Sequence, residues 1–245
     1  MPYRLVCLDA GFTLLAPRRT LAESLAGVLA ENGHAVGQED LRRAWEVADR
    51  WFWDEYHRPD NRTWGDDAAI ERTWRAYHAT MLAELGVTDR AHDLIDAILG
   101  SQFAADAWEL YPDVVPALVA LRAQPDLAIA VISDWGSNLG AILSGLGLDP
   151  FLDFVLASGA VGLAKPDPAL FGAALERAGA APTEALMVGD SLRADHDGAR
   201  AAGLDAVLLV RPEGSVERRQ VPAGTRTIAS LAELPPIVTG AARAR

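Results

Sequence analysis

The chain has 245 residues, of which 50% are hydrophobic and 23% are charged, a composition typical of soluble globular proteins. Its formal net charge of −12 argues against nucleic acid or an anionic membrane as a main partner. The single cysteine, Cys7, excludes an internal disulfide, and the lack of a leader pattern or an 18-residue apolar run predicts a cytoplasmic protein.

The first predicted element is a buried strand over residues 5–8, and it ends at an acidic side chain. This unbroken apolar run is followed by Asp9, with Thr13 four residues later. Open α/β sheets bind ligands outside the carboxyl ends of their strands. Asp9 is therefore a candidate functional residue.

Residues 16–108 show helical periodicity and no convincing strand. Apolar residues recur at helical spacing in four segments, which begin at Leu21, Leu41, Ile70 and Leu94. Their predicted ends are Asn32-Gly33, Arg58-Pro59, Gly86 and Gly100. We therefore predict an all-helical domain over this block.

From residue 111 onward, short apolar runs alternate with helical segments. Strands are predicted at 129–132, 154–157, 185–188 and 206–210, and helices at 113–124, 138–146, 168–178 and 192–202. This alternation predicts an α/β fold: a Rossmann-like parallel-sheet core of residues 1–15 and 109–240 with an inserted all-helical domain. For residues 211–245 we predict a last short strand followed by disorder, with a tail over 241–245.

Polar residues follow several of these strands and suit phosphoryl chemistry. They are Ser133, Lys165, Asp190 and Asp195, and Lys165 is the only lysine of the chain. A carboxylate can attack phosphorus, while a hydroxyl and an ammonium group stabilise the phosphoryl oxygens. Paired carboxylates are the ligands that Mg²⁺ prefers. The expected cofactor is therefore Mg²⁺.

At these positions the chain resembles the haloacid dehalogenase (HAD) superfamily of hydrolases, most of them phosphatases. The four motifs are matched in order by Asp9 with Thr13, by Ser133, by Lys165, and by Gly189-Asp190 with Asp195. The resemblance covers nearly the whole chain and implies that residues 16–108 are a C1 cap that closes over the site and selects the substrate.

The resemblance also implies roles for single residues. Asp9 would be the nucleophile of an aspartyl-phosphate intermediate, and Mg²⁺ would bind to Asp9, Asp190 and the backbone carbonyl of Gly11. Asp195 would be a metal ligand or an outer partner of the metal site. Ser133 and Lys165 would stabilise charge, and Thr13, Ser133, Asp134 and Lys165 would contact a small phosphorylated substrate. A monomer or a homodimer is expected.

Gly11 departs from the superfamily pattern. Phosphatases of this superfamily usually carry a second aspartate there, which protonates the leaving group. Losing such an acid costs roughly 10²–10⁴ in rate. The phosphatase reading therefore needs a substitute acid, for which Asp134, His57 and His78 are candidates, or a leaving group that needs little protonation.

Other classes remain open. A 2-haloacid dehalogenase would use Asp9 without a metal and would not need the acid, but Asp190 and Asp134 disfavour it. A phosphonate C–P hydrolase requires a cap lysine, and residues 16–108 contain none. A non-catalytic binding protein on the same fold is the third alternative.

Overall fold

The computed structural model describes residues 3–56, 58, 63–211 and 221–240. The chain divides into two compact units. We call Met1–Ala16 with Glu109–Arg245 the core unit, and Pro17–Trp108 the helical unit. The candidate donor His57 and the 241–245 tail lie outside the described residues.

The core unit is organised around a parallel sheet. The strands of the described residues are β1 (Leu5–Leu8), β2 (Leu15–Pro17), β3 (Trp108–Leu110), β4 (Ala128–Ser133), β5 (Phe154–Ala157), β6 (Ala185–Gly189), β7 (Asp205–Leu209) and β8 (Thr227–Ile228). Six of them form one sheet in the order β5-β4-β1-β6-β7-β8, and all of its pairings are parallel. The predicted α/β fold class is confirmed. Strands β2 and β3, which were not predicted, pair with each other in a separate two-stranded sheet.

β1 lies in the interior of the sheet, between β4 and β6. All four of its residues are buried, as expected for a strand covered on both faces. Leu8 pairs with Val131 of β4 and with Val188 of β6. β4 continues to Ser133 and β6 to Gly189, so the residues that follow these parallel strands lie at one edge of the sheet.

The helical unit contains α1 (Leu21–Glu31), α2 (Gln38–Tyr56), α3 (Asp67–Glu84) and α4 (Ala91–Gln102) among its described residues. The capping box at Thr20 is present, since Thr20 and Glu23 bond each other's backbone N–H. The prediction that Gly100 ends the fourth helix is wrong, because α4 continues to Gln102. Glycine lowers helix propensity by only about 1 kcal/mol, and the buried residues Ile98 and Leu99 anchor this turn.

The core unit adds helices between its strands. They are α5 (Val114–Arg122), α6 (Leu139–Gly145), α7 (Ser158–Val161), α8 (Pro168–Ala178), α9 (Gly198–Ala201) and α10 (Leu234–Val238). The predicted helix at 192–202 is a π-helical turn over Leu192–Asp197 followed by α9.

The disorder predicted after the last strand is contradicted for residues up to 238. A 3₁₀ turn over Leu231–Glu233 leads into α10, and the side chains of Leu231, Leu234 and Ile237 are buried. Pro235 and Pro236 fall in the first turn of α10, where a missing N–H costs no helical hydrogen bond.

None of the helices in the described ranges is both long and apolar enough to cross a membrane.

One polar pair is buried in the helical unit. His78 of α3 is fully buried, and its Nε2 lies 2.7 Å from Oε1 of Gln102 in α4. Burial lowers the pKa of the His78 imidazole below its ordinary value of 6.5, although the hydrogen bond to Gln102 opposes this. His78 is therefore a neutral core residue, which disfavours its predicted role as a proton donor.

We expect this histidine to make the stability of the helical unit depend on pH. Because the pKa of His78 is lower in the folded protein than in the unfolded chain, its neutral form stabilises the fold above pH 6.5. This contribution is lost as the pH falls below 6.5. His78→Gln keeps an amide donor but cannot become a cation, so it should flatten this acid-side loss. Six of the seven tryptophans lie in the helical unit. Tryptophan fluorescence during urea unfolding at pH 5–8 therefore measures the stability of this unit. The exposed His92→Gln on α4 is the control, and an equal flattening there would contradict the assignment.

Candidate active site

Asp9 follows β1 at the carboxyl edge of the sheet. Its N–H donates a hydrogen bond to the carbonyl of Val188 in β6 (3.0 Å), which holds the backbone in the ladder one residue beyond the strand. The Asp9 side chain is 9% exposed. A nearly buried carboxylate at this edge needs a cationic partner.

The loop after Asp9 is closed by its own backbone. The carbonyl of Ala10 accepts hydrogen bonds from the N–H groups of Leu14 (2.8 Å) and Leu15 (2.9 Å). Thr13 is fully buried, and its Oγ1 has no hydrogen-bond partner among the described residues. A buried polar group without a partner costs about 1–3 kcal/mol, which is consistent with a hydroxyl that a ligand would satisfy.

Two further carboxylates lie beside Asp9. Asp190 follows β6, and Asp195 lies in the π-helical turn after it. One oxygen from each of the three aspartates lies within 4.8 Å of the other two. Gly189 makes this approach possible, because a Cβ atom there would lie 2.1 Å from Oδ2 of Asp195. Only glycine therefore fits at the end of β6.

Lys165 joins two of these carboxylates. Its Nζ donates to Oδ1 of Asp9 (2.5 Å) and to Oδ1 of Asp195 (2.6 Å), and its side chain is 3% exposed. Burial alone would lower the pKa of Lys165, but Asp195, Asp9 and Asp134 outweigh it and raise the pKa well above the ordinary 10.5. Lys165 is therefore a buried cation that its carboxylate partners hold charged.

The charge of this cluster suits a divalent cation. Three carboxylates and one ammonium group carry a formal charge of −2. Burial, opposed by Lys165, raises the pKa of Asp195 to about 6, and the nearby charge of Asp9 adds to the rise. Carboxylate oxygens are hard ligands, so Asp9, Asp190 and Asp195 could hold a metal ion.

Asp134 supports the loop that carries Lys165. Its Oδ1 accepts a hydrogen bond from the backbone N–H of Lys165 (2.8 Å). Burial raises the pKa of Asp134 to about 7, although Lys165 opposes the shift. Ser133, the last residue of β4, is 2% exposed at the same edge. The structure thus brings most of the predicted residues together, while the roles of Ser133, Asp134, Thr13 and the Gly11 carbonyl stay predictions.

Sequence reasoning missed Arg211, which lies two residues beyond β7. Its Nη2 donates to the carbonyl of Thr13 (2.8 Å) and to Oδ1 of Asp113 (2.9 Å), and its Nη1 donates to Oδ2 of Asp113 (3.1 Å). Asp113 also accepts from Oγ of Ser230 (2.7 Å) and from the N–H of Leu231 (2.8 Å). Arg211 therefore ties the loop after Asp9 to the last helical segment. A basic residue just past a predicted strand was the available signal.

We expect Asp134 to affect stability through its acceptor oxygen rather than its charge. Because the pKa of Asp134 is raised from 3.8 to about 7 in the folded protein, this residue contributes stability below pH 4. That contribution is lost as the pH rises toward 7. Asp134→Asn keeps the acceptor for Lys165 N–H and should show less of this loss. Asp134→Ala removes the acceptor and should destabilise by about 1–3 kcal/mol at pH 8. Thermal unfolding in EDTA tests both, and equal melting of the two variants at pH 8 would refute the acceptor role.

We expect the pair of Arg211 and Asp113 to be coupled. Arg211→Met leaves a partly buried carboxylate without its main cation, which should cost about 3 kcal/mol. Asp113→Asn in the same chain should recover part of that loss, since the unpaired charge is gone. Thermal unfolding of the single and double variants, followed by circular dichroism, measures the coupling. Strictly additive losses would mean that the pair contributes nothing specific.

Comparison with known proteins assigns the chain to a family. A family model described as haloacid dehalogenase-like hydrolase matches residues 3–203. The chain is 32% identical over 243 residues to haloacid dehalogenase-like hydrolase domain-containing protein 3 of Homo sapiens, covering 95% of this chain and 92% of that protein. It is 39% identical over 132 residues to phosphoserine phosphatase of Thermus thermophilus, covering 52% and 51% of the two chains.

A solved structure supports the fold. HAD-hydrolase YfnB from Bacillus subtilis, crystallised with magnesium, has a TM-score of 0.76 at 20% identity and covers 97% of this chain and 99% of that one. At this identity the likeness concerns the fold alone. With the family match across most of its length, this chain belongs to the haloacid dehalogenase-like hydrolases.

Proposed function

We propose that this chain is a Mg²⁺-dependent phosphatase that acts on a small phosphorylated metabolite through an aspartyl-phosphate on Asp9. The proposal rests chiefly on one observation, the buried contact of Lys165 with Asp9 inside a three-carboxylate cluster. The phosphatase name of the Thermus thermophilus relative, which matches about half of each chain, supports the same reaction class.

The chain's own residues would carry the covalent steps. Lys165 engages Oδ1 of Asp9, so Oδ2 is assigned the attack on phosphorus. As the new O–P bond forms, the bond from phosphorus to the leaving oxygen breaks. Lys165 and Ser133 would stabilise the negative charge on the phosphoryl oxygens. Water then attacks the aspartyl-phosphate, which releases phosphate and restores Asp9.

The metal site would be built from the same edge of the sheet. Asp9, Asp190 and the predicted carbonyl of Gly11 would hold Mg²⁺, which when bound supplies positive charge against the transferred phosphoryl group. Asp195 has one oxygen on Lys165 Nζ and the other on the N–H of Ser191 (2.9 Å). These contacts favour Asp195 as a residue that orients Lys165 rather than as a direct ligand.

A metal-independent 2-haloacid dehalogenase is the second candidate, and Gly11 is the observation that favours it. A halide leaves without a proton, so the missing acid would not matter. Asp190 disfavours this candidate because a third carboxylate in the cluster would repel an anionic substrate unless a cation neutralised it. The cap role of residues 16–108, the cytoplasmic location, and a monomer or homodimer remain parts of the proposal.

Hydrolysis assays separate the candidates. We expect 4-nitrophenyl phosphate to be hydrolysed with Mg²⁺ and not with EDTA, and 2-chloropropionate to release no chloride under either condition. Chloride release in EDTA would replace the phosphatase by the dehalogenase. Absence of turnover with both substrates would favour a non-catalytic binding protein.

Replacement of the nucleophile provides the internal check. Asp9→Asn should lower turnover by at least about 10³-fold, because an amide cannot attack phosphorus. Asp126→Asn is the matched control: Asp126 is exposed, precedes β4 at the opposite edge of the sheet, and has a positive φ that asparagine tolerates. Acid-quenched protein should carry phosphate on the peptide that contains Asp9. Full activity of Asp9→Asn would refute the nucleophile assignment.

A further inference from the structure

The space beside Gly11 is limited by an aromatic side chain. A Cβ atom placed on Gly11 would lie 3.3 Å from Cζ3 of Trp135, closer than the roughly 3.5–4.0 Å of an optimal carbon contact. The φ of Gly11 is not in the left-handed region, so the backbone does not by itself require glycine there. The indole, rather than the loop conformation, restricts what this position can carry.

The backbone of Trp135 is held by hydrogen bonds. It follows Ser133-Asp134 beyond β4, and its N–H donates to Oγ of Ser158 (3.1 Å). Its carbonyl accepts from the N–H of Gly159 (2.9 Å) and from the Ser158 hydroxyl (3.3 Å). Ser158 is fully buried and the Trp135 residue is 9% exposed. The start of α7 therefore holds both the N–H and the carbonyl of Trp135.

The consequence for chemistry concerns the proton of the leaving group. An aspartate at position 11 would need room for a carboxyl group beyond a Cβ that already requires the ring to shift by a few tenths of an ångström. The only charged or polar side chain the loop itself adds next to Asp9 is thus Thr13, whose pKa is far too high for it to act as an acid. Apart from the three clustered aspartates, Asp134 is the acid at this edge, and its Oδ1 accepts a hydrogen bond from the Lys165 N–H.

We infer that Trp135 and Gly11 form a matched pair that excludes a side-chain acid from the loop after Asp9 and confines the enzyme to phosphates whose leaving oxygen departs as a stable anion. Aryl phosphates, enol phosphates and acyl phosphates belong to this class. As Oδ2 of Asp9 bonds to phosphorus, the leaving oxygen keeps the electron pair of the broken bond and takes a proton later from water. The inference rests on the proposed phosphatase function.

Two measurements test the pair, and the first needs no activity. Gly11→Asp should lower the melting temperature by several degrees, and Trp135→Leu in the same chain should recover most of that loss relative to Trp135→Leu alone. Gly11→Ala, which adds only the Cβ, should cost less. Gly140→Asp is the control, because Gly140 has open space around it and should show no coupling to Trp135. Additive losses for positions 11 and 135 would overturn the steric pairing.

The second measurement is the dependence of kcat/KM on the leaving group, using 4-nitrophenyl, phenyl and benzyl phosphate. The wild type should lose about 10²-fold or more from 4-nitrophenyl to benzyl phosphate, the cost of acting without an acid. For Gly11→Asp, the loss of kcat/KM from 4-nitrophenyl to benzyl phosphate should be as large as in the wild type. For the double variant Gly11→Asp with Trp135→Leu, this loss should be smaller.

The outcomes keep this inference apart from the proposed function. A shallow wild-type dependence would overturn the inference and assign proton donation to another group such as Asp134, while the phosphatase stands. No turnover of any of the three esters would overturn the phosphatase and the leaving-group claim together. In that case the melting-temperature coupling still decides whether Trp135 excludes a side chain at position 11.

Discussion

The buried ammonium group of Lys165 is the contact on which the site depends. Three aspartates meet at one edge of the sheet, and two of them, Asp9 and Asp195, share this single cation. Carboxylates brought this close without a cation would repel one another and would take up protons. The lysine keeps the cluster compact, and arginine could not replace it because its planar fork is too large for a point between two carboxylate oxygens.

The parallel sheet explains how residues so far apart in sequence reach that cation. Lys165 is 156 positions from Asp9 and follows β5 and α7, but the parallel strands all end at the same edge of the sheet. Each strand therefore delivers the residues that follow it to one place, and short loops hold them there. Asp134 bonds the Lys165 backbone, Ser191 bonds Asp195, and Gly189 leaves the room that the Asp195 carboxylate needs. The rest of the fold serves to keep these ends in register.

Much of this architecture could be predicted because strand periodicity and strand ends are local signals. The strand at 154–157 has its predicted bounds, and Asp9, Lys165, Asp190 and Asp195 could be selected as polar residues at the ends of apolar runs. Three features could not be read in this way. Gly100 predicts the end of a helix that continues to Gln102, and the weak pattern of residues 211–245 predicts disorder where α10 forms.

The third feature is contact between distant parts of the chain. Arg211 reaches the Thr13 carbonyl across 198 positions, and Trp135 restricts Gly11 from a different strand end. The local signal for Arg211 is only a basic residue just past a predicted strand, and Trp135 has none, because each contact depends on where two loops meet in three dimensions. The sequence showed that an acid was missing at position 11. It could not show that an aromatic ring limits the same space.

Membership of the family leaves the reaction open, because Asp9 and Lys165 would serve a dehalogenase as well as a phosphatase. The difference lies in charge. For a cluster of three aspartates and one lysine, a net charge of −2 would repel any anionic substrate, and a haloacid brings a carboxylate of its own. A divalent cation removes that excess and turns the same edge into an anion site. Asp190, the third carboxylate of the cluster, therefore discriminates between the two chemistries more strongly than Gly11 does.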